Sequence, residues 1–174
     1  MWKLYRFYTI DREGNTMRKN LEAISLGALA LTIWITWQAF HESHPLPAQI
    51  PTHFDAAGNA NGWGPPSTLL LLPVIAAVIY LTITVIAQFP VLFNYPVAVT
   101  EENRARLEAL TLEMIAWLKA ELVCFFAWMQ WFILRIIQQG HGRLSPLILV
   151  VFLAAFMTTF AWHLAAIFRA GRAG

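Results

Sequence analysis

The chain has 174 residues, of which 58% are hydrophobic and only 13% charged, and its formal net charge is +2. Soluble globular domains average roughly 45–50% apolar and about 25% charged residues, so this composition excludes an ordinary soluble domain. It also argues against a nucleic-acid partner, since membrane topology accounts for the Lys and Arg positions and leaves no basic stripe.

A bilayer core takes about 20 consecutive apolar residues to cross. Four segments reach that length: Leu21–Phe40, Leu69–Phe89, Ile115–Ile137 and Leu147–Phe168. They are too few and too long for barrel strands, so each must satisfy its backbone as a helix. The predicted fold is all-α, a polytopic integral membrane protein with a four-transmembrane-helix bundle in a single membrane domain, residues 1–174. Residues 1–20 precede the first span, and its apolar run is too long for a cleavable signal peptide. Residues 41–68 form the first loop, 90–114 a connection with an amphipathic helix, 138–146 a short loop, and 169–174 the C-terminal tail.

Ten of the twelve Lys and Arg residues fall before the first span, from the second-to-third connection to Lys119, or after the fourth span. By the positive-inside rule both termini are expected in the cytoplasm and the first loop outside. The lipid bilayer is the constant partner.

The first loop is specified nearly residue by residue. Pro45, Pro47 and Pro51 impose extended backbone, and Gly58, Asn61, Gly62 and Gly64 supply positions suited to tight turns. Asp55 followed by Gly58 reads as an Asx-type turn, because the alternating oxygen ligands of an EF-hand are missing. His41, His44 and His53 could together form an open metal site, but their spacing matches no specific motif; the competing reading has His53 holding the loop through hydrogen bonds. No cofactor is predicted.

The stretch from Leu46 to Gly64, LPAQIPTHFDAAGNANGWG, resembles a pattern in bacterial membrane proteins related to SdpI-type toxin-immunity proteins, specifically their N-terminal domain of unknown function. The segment Asn94–Asn103 resembles one that follows the second span in some members. Pro65-Pro66 departs from the pattern, in which a small residue and a Lys follow the Trp-Gly. The resemblance implies a location in a bacterial cytoplasmic (inner) membrane and a binding, immunity or envelope-signalling role. The outer loop would be the recognition element for a peptide toxin or another membrane protein, with His53, Asp55, Gly58, Asn61 and Trp63 as its candidate residues.

Beyond the second span, Thr100 is the expected N-cap of a helix that continues without Gly or Pro as far as Gln139. This long third helix is expected to extend into the cytoplasm. Leu107, Leu110, Met114 and Leu118 mark one apolar face, either lying against the membrane surface or docking a partner. Within the spans, Glu121 and His163 are expected at similar depth on antiparallel helices, as packing glue or as a proton relay. Gln38, Gln88 and Gln130 are candidate interhelical hydrogen bonders, and Lys119 either pairs with a nearby acid or snorkels to headgroups.

No HExxH, GxSxG or P-loop motif occurs, and Cys124 is the only cysteine. Two alternatives to a binding protein stay open. One is a small ion- or proton-coupled transporter or channel subunit, assembled as a homo-oligomer and using Glu121, His163 and the glutamines. The other is a metal-dependent membrane enzyme or accessory subunit using the loop histidines.

Overall fold

A computed structural model of the chain describes residues 2–42, 46–140 and 142–172, with side chains described from residue 14 onward. Four helices dominate: α1 Trp2–His41, α2 Leu71–Ile86, α3 Arg104–Gln139 and α4 Pro146–Arg172. A single-turn 3₁₀ segment, Pro66–Leu70, leads into α2, and with it each helix is long and apolar enough to cross a membrane. The protein is an all-α polytopic membrane protein. Its first loop carries a small antiparallel hairpin of β1 Ile50–Phe54 and β2 Ala60–Gly64.

The segment expected as an N-terminal tail is helical from Trp2. Gly14, the one break signal there, sits within α1, where an added Cβ would meet nothing within 4 Å. Thr100 caps a turn rather than the helix itself. Its backbone N–H donates to Asn103 Oδ1 at 2.9 Å, while its hydroxyl accepts from the Asn103 N–H at 3.3 Å. Regular α3 begins just beyond, at Arg104. At 1.5 Å per residue its 36 residues extend roughly 54 Å, well beyond the hydrocarbon core of about 30 Å.

α3 is the central helix, touching α1, α2 and α4. α1 meets it along a stripe of small polar residues, Ser25, Thr32 and Thr36, all buried. Each hydroxyl donates to a carbonyl one turn earlier, at 2.7–2.8 Å. Such self-satisfied small side chains let helix backbones approach without the apolar driving force that water supplies elsewhere. Gln130 completes the interface: its Nε2 donates to Thr36 Oγ1 at 2.8 Å and to the Leu69 carbonyl at 3.2 Å. Gln88 instead donates locally, to the Thr84 carbonyl at 3.5 Å.

Two apolar clusters close the bundle. At the hairpin end Ala39, Ile50 and Leu69 pack with Ile133, Leu134 and Ile137. At the other end Leu107, Ile167 and Ala170 pack with Tyr95, Val97 and Leu110. The second cluster corrects the reading of α3 as an open docking face. Leu107 is fully buried, and the α2–α3 connection together with the end of α4 covers it and the neighbouring Leu110. Gly171 permits the closure, since a Cβ there would lie 2.5 Å from Val97 Cβ.

Candidate functional site

The hairpin is held at both its base and its tip. Ile50 at the base is buried in the apolar cluster between α1 and α3. At the tip Asp55 organises the turn: one carboxylate oxygen accepts the Asn59 backbone N–H at 2.8 Å and the other accepts Asn59 Nδ2 at 3.3 Å. The Gly58 N–H donates to the Asp55 carbonyl at 2.8 Å, and Gly58 has φ +84°. The Gly58 carbonyl then accepts the Leu144 N–H at 2.8 Å, while Arg143 Nε donates to the Ala57 carbonyl. The first loop is thus bonded across the same end of the bundle to the α3–α4 loop.

Between those anchors the hairpin presents polar and aromatic side chains to solvent. Asn61 and Trp63 alternate with inward positions on β2, and Trp63 is 57% exposed. His53 lies across from Gly62 in the ladder, and its Nδ1 donates to Asn61 Oδ1 at 2.5 Å. An added Cβ at Gly62 would lie 2.8 Å from His53 Cβ, so this glycine makes room for the imidazole. His53, Asn61 and Trp63 form one exposed patch on a clamped scaffold. Asp55 and Gly58 serve the turn beneath it.

The Asn59 backbone amide is the main cause holding the Asp55 carboxyl below its ordinary value of 3.8; desolvation opposes it, and the Asn59 side chain and further backbone donors add to the lowering. A depressed carboxylate pKa adds stability above the unfolded-state value, and that stability is lost as pH falls through the folded value. The turn should therefore hold at neutral pH and loosen only under acid conditions. Following the Asn59 amide resonance through an acid titration should give a midpoint below 3.8; a midpoint at or above it would mean the carboxylate does not organise the turn.

The loop histidines take separate partners. His41 stacks on Trp37, with ring centroids 4.3 Å apart, and its Nδ1 donates to the Trp37 carbonyl at 2.8 Å. His44 lies outside the described residues. Among the described residues, no three His, Cys, Asp or Glu side chains converge on a point that could hold a metal ion.

Glu121 and His163 both lie on the α3–α4 interface, but each has another partner. Thr159 Oγ1 donates to Glu121 Oε1 at 2.6 Å. Buried His163 donates from Nδ1 to the Thr159 carbonyl at 2.9 Å and turns Nε2 towards Glu113 Oε1, 4.0 Å away. Among the described residues the two make no direct hydrogen bond to each other, and helix register is the reason. Span edges at Ile115 and Phe168 put the two at matching depth, whereas the antiparallel packing sets Glu121 against Thr159, one turn before His163. Glu121 Oε2 is buried without a hydrogen-bond partner among the described residues.

A second charged cluster lies nearer the end of the bundle that carries both chain termini. Lys119 on α3, its side chain only 5% exposed, donates from Nζ to Glu22 Oε2 on α1 at 2.5 Å. It also donates to Thr84 Oγ1 on α2 at 2.9 Å and lies 4.7 Å from the centre of the Tyr80 ring. The Tyr80 hydroxyl donates to the other Glu22 oxygen, so three helices meet at one ion pair. Sequence reasoning missed Glu22 because it stands one residue inside the expected first span. The available signal was opposite charge at matching depth on two helices that run the same way.

No curated protein and no solved structure matches the chain. One family model does: residues 26–77, from the middle of α1 through the hairpin into α2, match a domain of unknown function, DUF1648.

Proposed function

We propose that this chain is a small binding protein of the bacterial cytoplasmic membrane, similar to the SdpI-type immunity proteins, with both termini in the cytoplasm and the hairpin as an outward-facing recognition element. Its ligand class would be a peptide toxin or a membrane-protein partner, giving an immunity or envelope-signalling role. The observation that carries this reading is the combination of rigidity and exposure. Ile50 and Gly58 anchor the hairpin at base and tip, and between them Trp63, Asn61 and His53 stay open to solvent. A pre-positioned aromatic loses little conformational entropy on binding and is the commonest type of interface anchor. The match to DUF1648 spans this region.

The test has two arms. In a Cys124→Ala background, cysteine at Ala57 should react with an impermeant thiol reagent added outside intact cells, and cysteine at Ala105 should not. Trp63→Ala with Asn61→Ala should then weaken binding or protection by about 30-fold, equivalent to roughly 2 kcal/mol at an interface anchor, without lowering thermal stability. Reversed labelling overturns the orientation, and full activity in the double variant overturns the recognition patch.

The Glu22–Lys119 pair favours a second reading as an ion-coupled transporter subunit, since charges inside spans commonly mark ion or substrate pathways. That reading expects reconstituted vesicles to show a flux that Glu22→Gln abolishes.

A further inference from the structure

A cavity of about 410 Å³ opens beside this ion pair, between α1, α2 and α3. Asn15, Arg18, Lys19 and Glu22 all line it from one face of α1, spaced at i, i+3, i+4 and i+7. Lys119 and Thr84 close its inner wall and Gln88 sits at its α2 rim. Leu112, Ile115 and Ala116 on α3 supply an apolar side. Among the described lining residues three side chains are cationic (Arg18, Lys19 and Lys119) and only Glu22 is anionic, a surplus of two positive charges.

We propose that this cavity binds the phosphate group of an anionic phospholipid. Charge is the first reason. Among the described residues Glu22 pairs with Lys119, and Arg18 and Lys19 line the same space. An arginine fork suits phosphate oxygens, and basic pockets between membrane helices hold anionic headgroups. Position is the second reason: the site lies at one end of the apolar spans, where α1 turns from basic to apolar sequence and α2 ends at Ile86. Third, the lining is amphipathic, with cations on α1 facing an apolar strip on α3 that suits the glycerol and upper acyl chain. Lys119 can contribute without leaving its partners. Among the described residues it keeps its bonds to Glu22 and Thr84 and its place over the Tyr80 ring, and its ammonium adds positive charge to the cavity wall. The volume falls within the roughly 300–1,000 Å³ typical of small-ligand sites.

The same phosphate chemistry could come from a lipid or from free phosphate, and the test separates the two. Full-length protein in detergent is offered phosphatidylglycerol, phosphatidylcholine or inorganic phosphate and read by native mass spectrometry. Retention of phosphatidylglycerol at least tenfold above phosphatidylcholine, with no retained phosphate, is the expected result. Arg18→Gln with Lys19→Gln should remove that preference, and so should Ala87→Trp, which narrows the cavity without changing charge. Arg169→Gln with Arg172→Gln, at the same end of the bundle but outside the cavity, should leave it intact. Thermal unfolding of each variant identifies any that fail to fold, and the charge pair and the cavity-filling variant test the site separately. Equal retention of both lipids overturns the proposal, as does a preference that survives both cavity variants or falls equally with the α4 arginines. Retention of inorganic phosphate in place of lipid overturns the lipid assignment.

Discussion

Gly58→Val is expected to detach the hairpin tip from the α3–α4 loop and to destabilise the fold by about 3 kcal/mol, because two independent constraints meet at one residue. Gly58 holds φ +84°, a conformation that a β-branched residue strongly resists. It also leaves no room: an added Cβ would lie 1.7 Å from the Leu144 carbonyl oxygen and 2.8 Å from its carbon. These are backbone atoms, so no rotamer change relieves the clash. Gly140 separates the two effects, since it has φ +71° with nothing within 4 Å of an added Cβ. Gly140→Ala should therefore show only the conformational penalty, about 1 kcal/mol, whereas Gly58→Ala should cost clearly more. Thermal unfolding in detergent gives the comparison. Cysteine accessibility at Leu144 supplies the local readout, rising in the Gly58 variants and not in the Gly140 variant. Equal costs at the two glycines would show that the contact with the α3–α4 loop contributes nothing.

The turn at Gly58 was legible in the sequence because its determinants are local. Asp55, Gly58 and Asn59 lie within one turn of chain, and their backbone preferences survive whatever surrounds them. The four spans were legible for a similar reason: apolar length is a property of each segment alone. The hairpin's attachment was not. Leu144 and Arg143 are more than 80 residues from the turn they hold, and nothing local in either segment announces the other. Register was lost in the same way. Span edges locate His163 and Glu121 only to within a helical turn, and the packed register brings His163 to Glu113 while Glu121, eight residues further along α3, meets Thr159. The buried face of Leu107 shows a further limit. Periodicity marked it as apolar, but Val97, Tyr95 and Ile167 cover it from distant parts of the chain.

The Glu22–Lys119 pair should behave as one unit in a double-mutant cycle, with an unequal cost for its two halves. Removing one partner of a buried pair typically costs roughly 3–5 kcal/mol, because the remaining charge is left uncompensated. Here the burial is lopsided: the Lys119 side chain is 5% exposed and that of Glu22 is 37% exposed, beside the cavity. Glu22→Gln strands an ammonium that Thr84 and the Tyr80 ring only partly stabilise. Its cost should lie near the lower end of that range, about 3 kcal/mol. Lys119→Met strands a carboxylate that keeps the Tyr80 hydroxyl and faces an open cavity, so it should cost less. The double variant, Glu22→Gln with Lys119→Met, leaves no stranded charge and should be more stable than Glu22→Gln alone. The resulting coupling should fall within the roughly 0.5–3 kcal/mol seen for residues in direct contact. Reversible unfolding in mixed micelles measures all four corners of the cycle. Additive single costs would show that the ion pair does not join α1 to α3, and a larger cost for Lys119→Met would invert the burial argument.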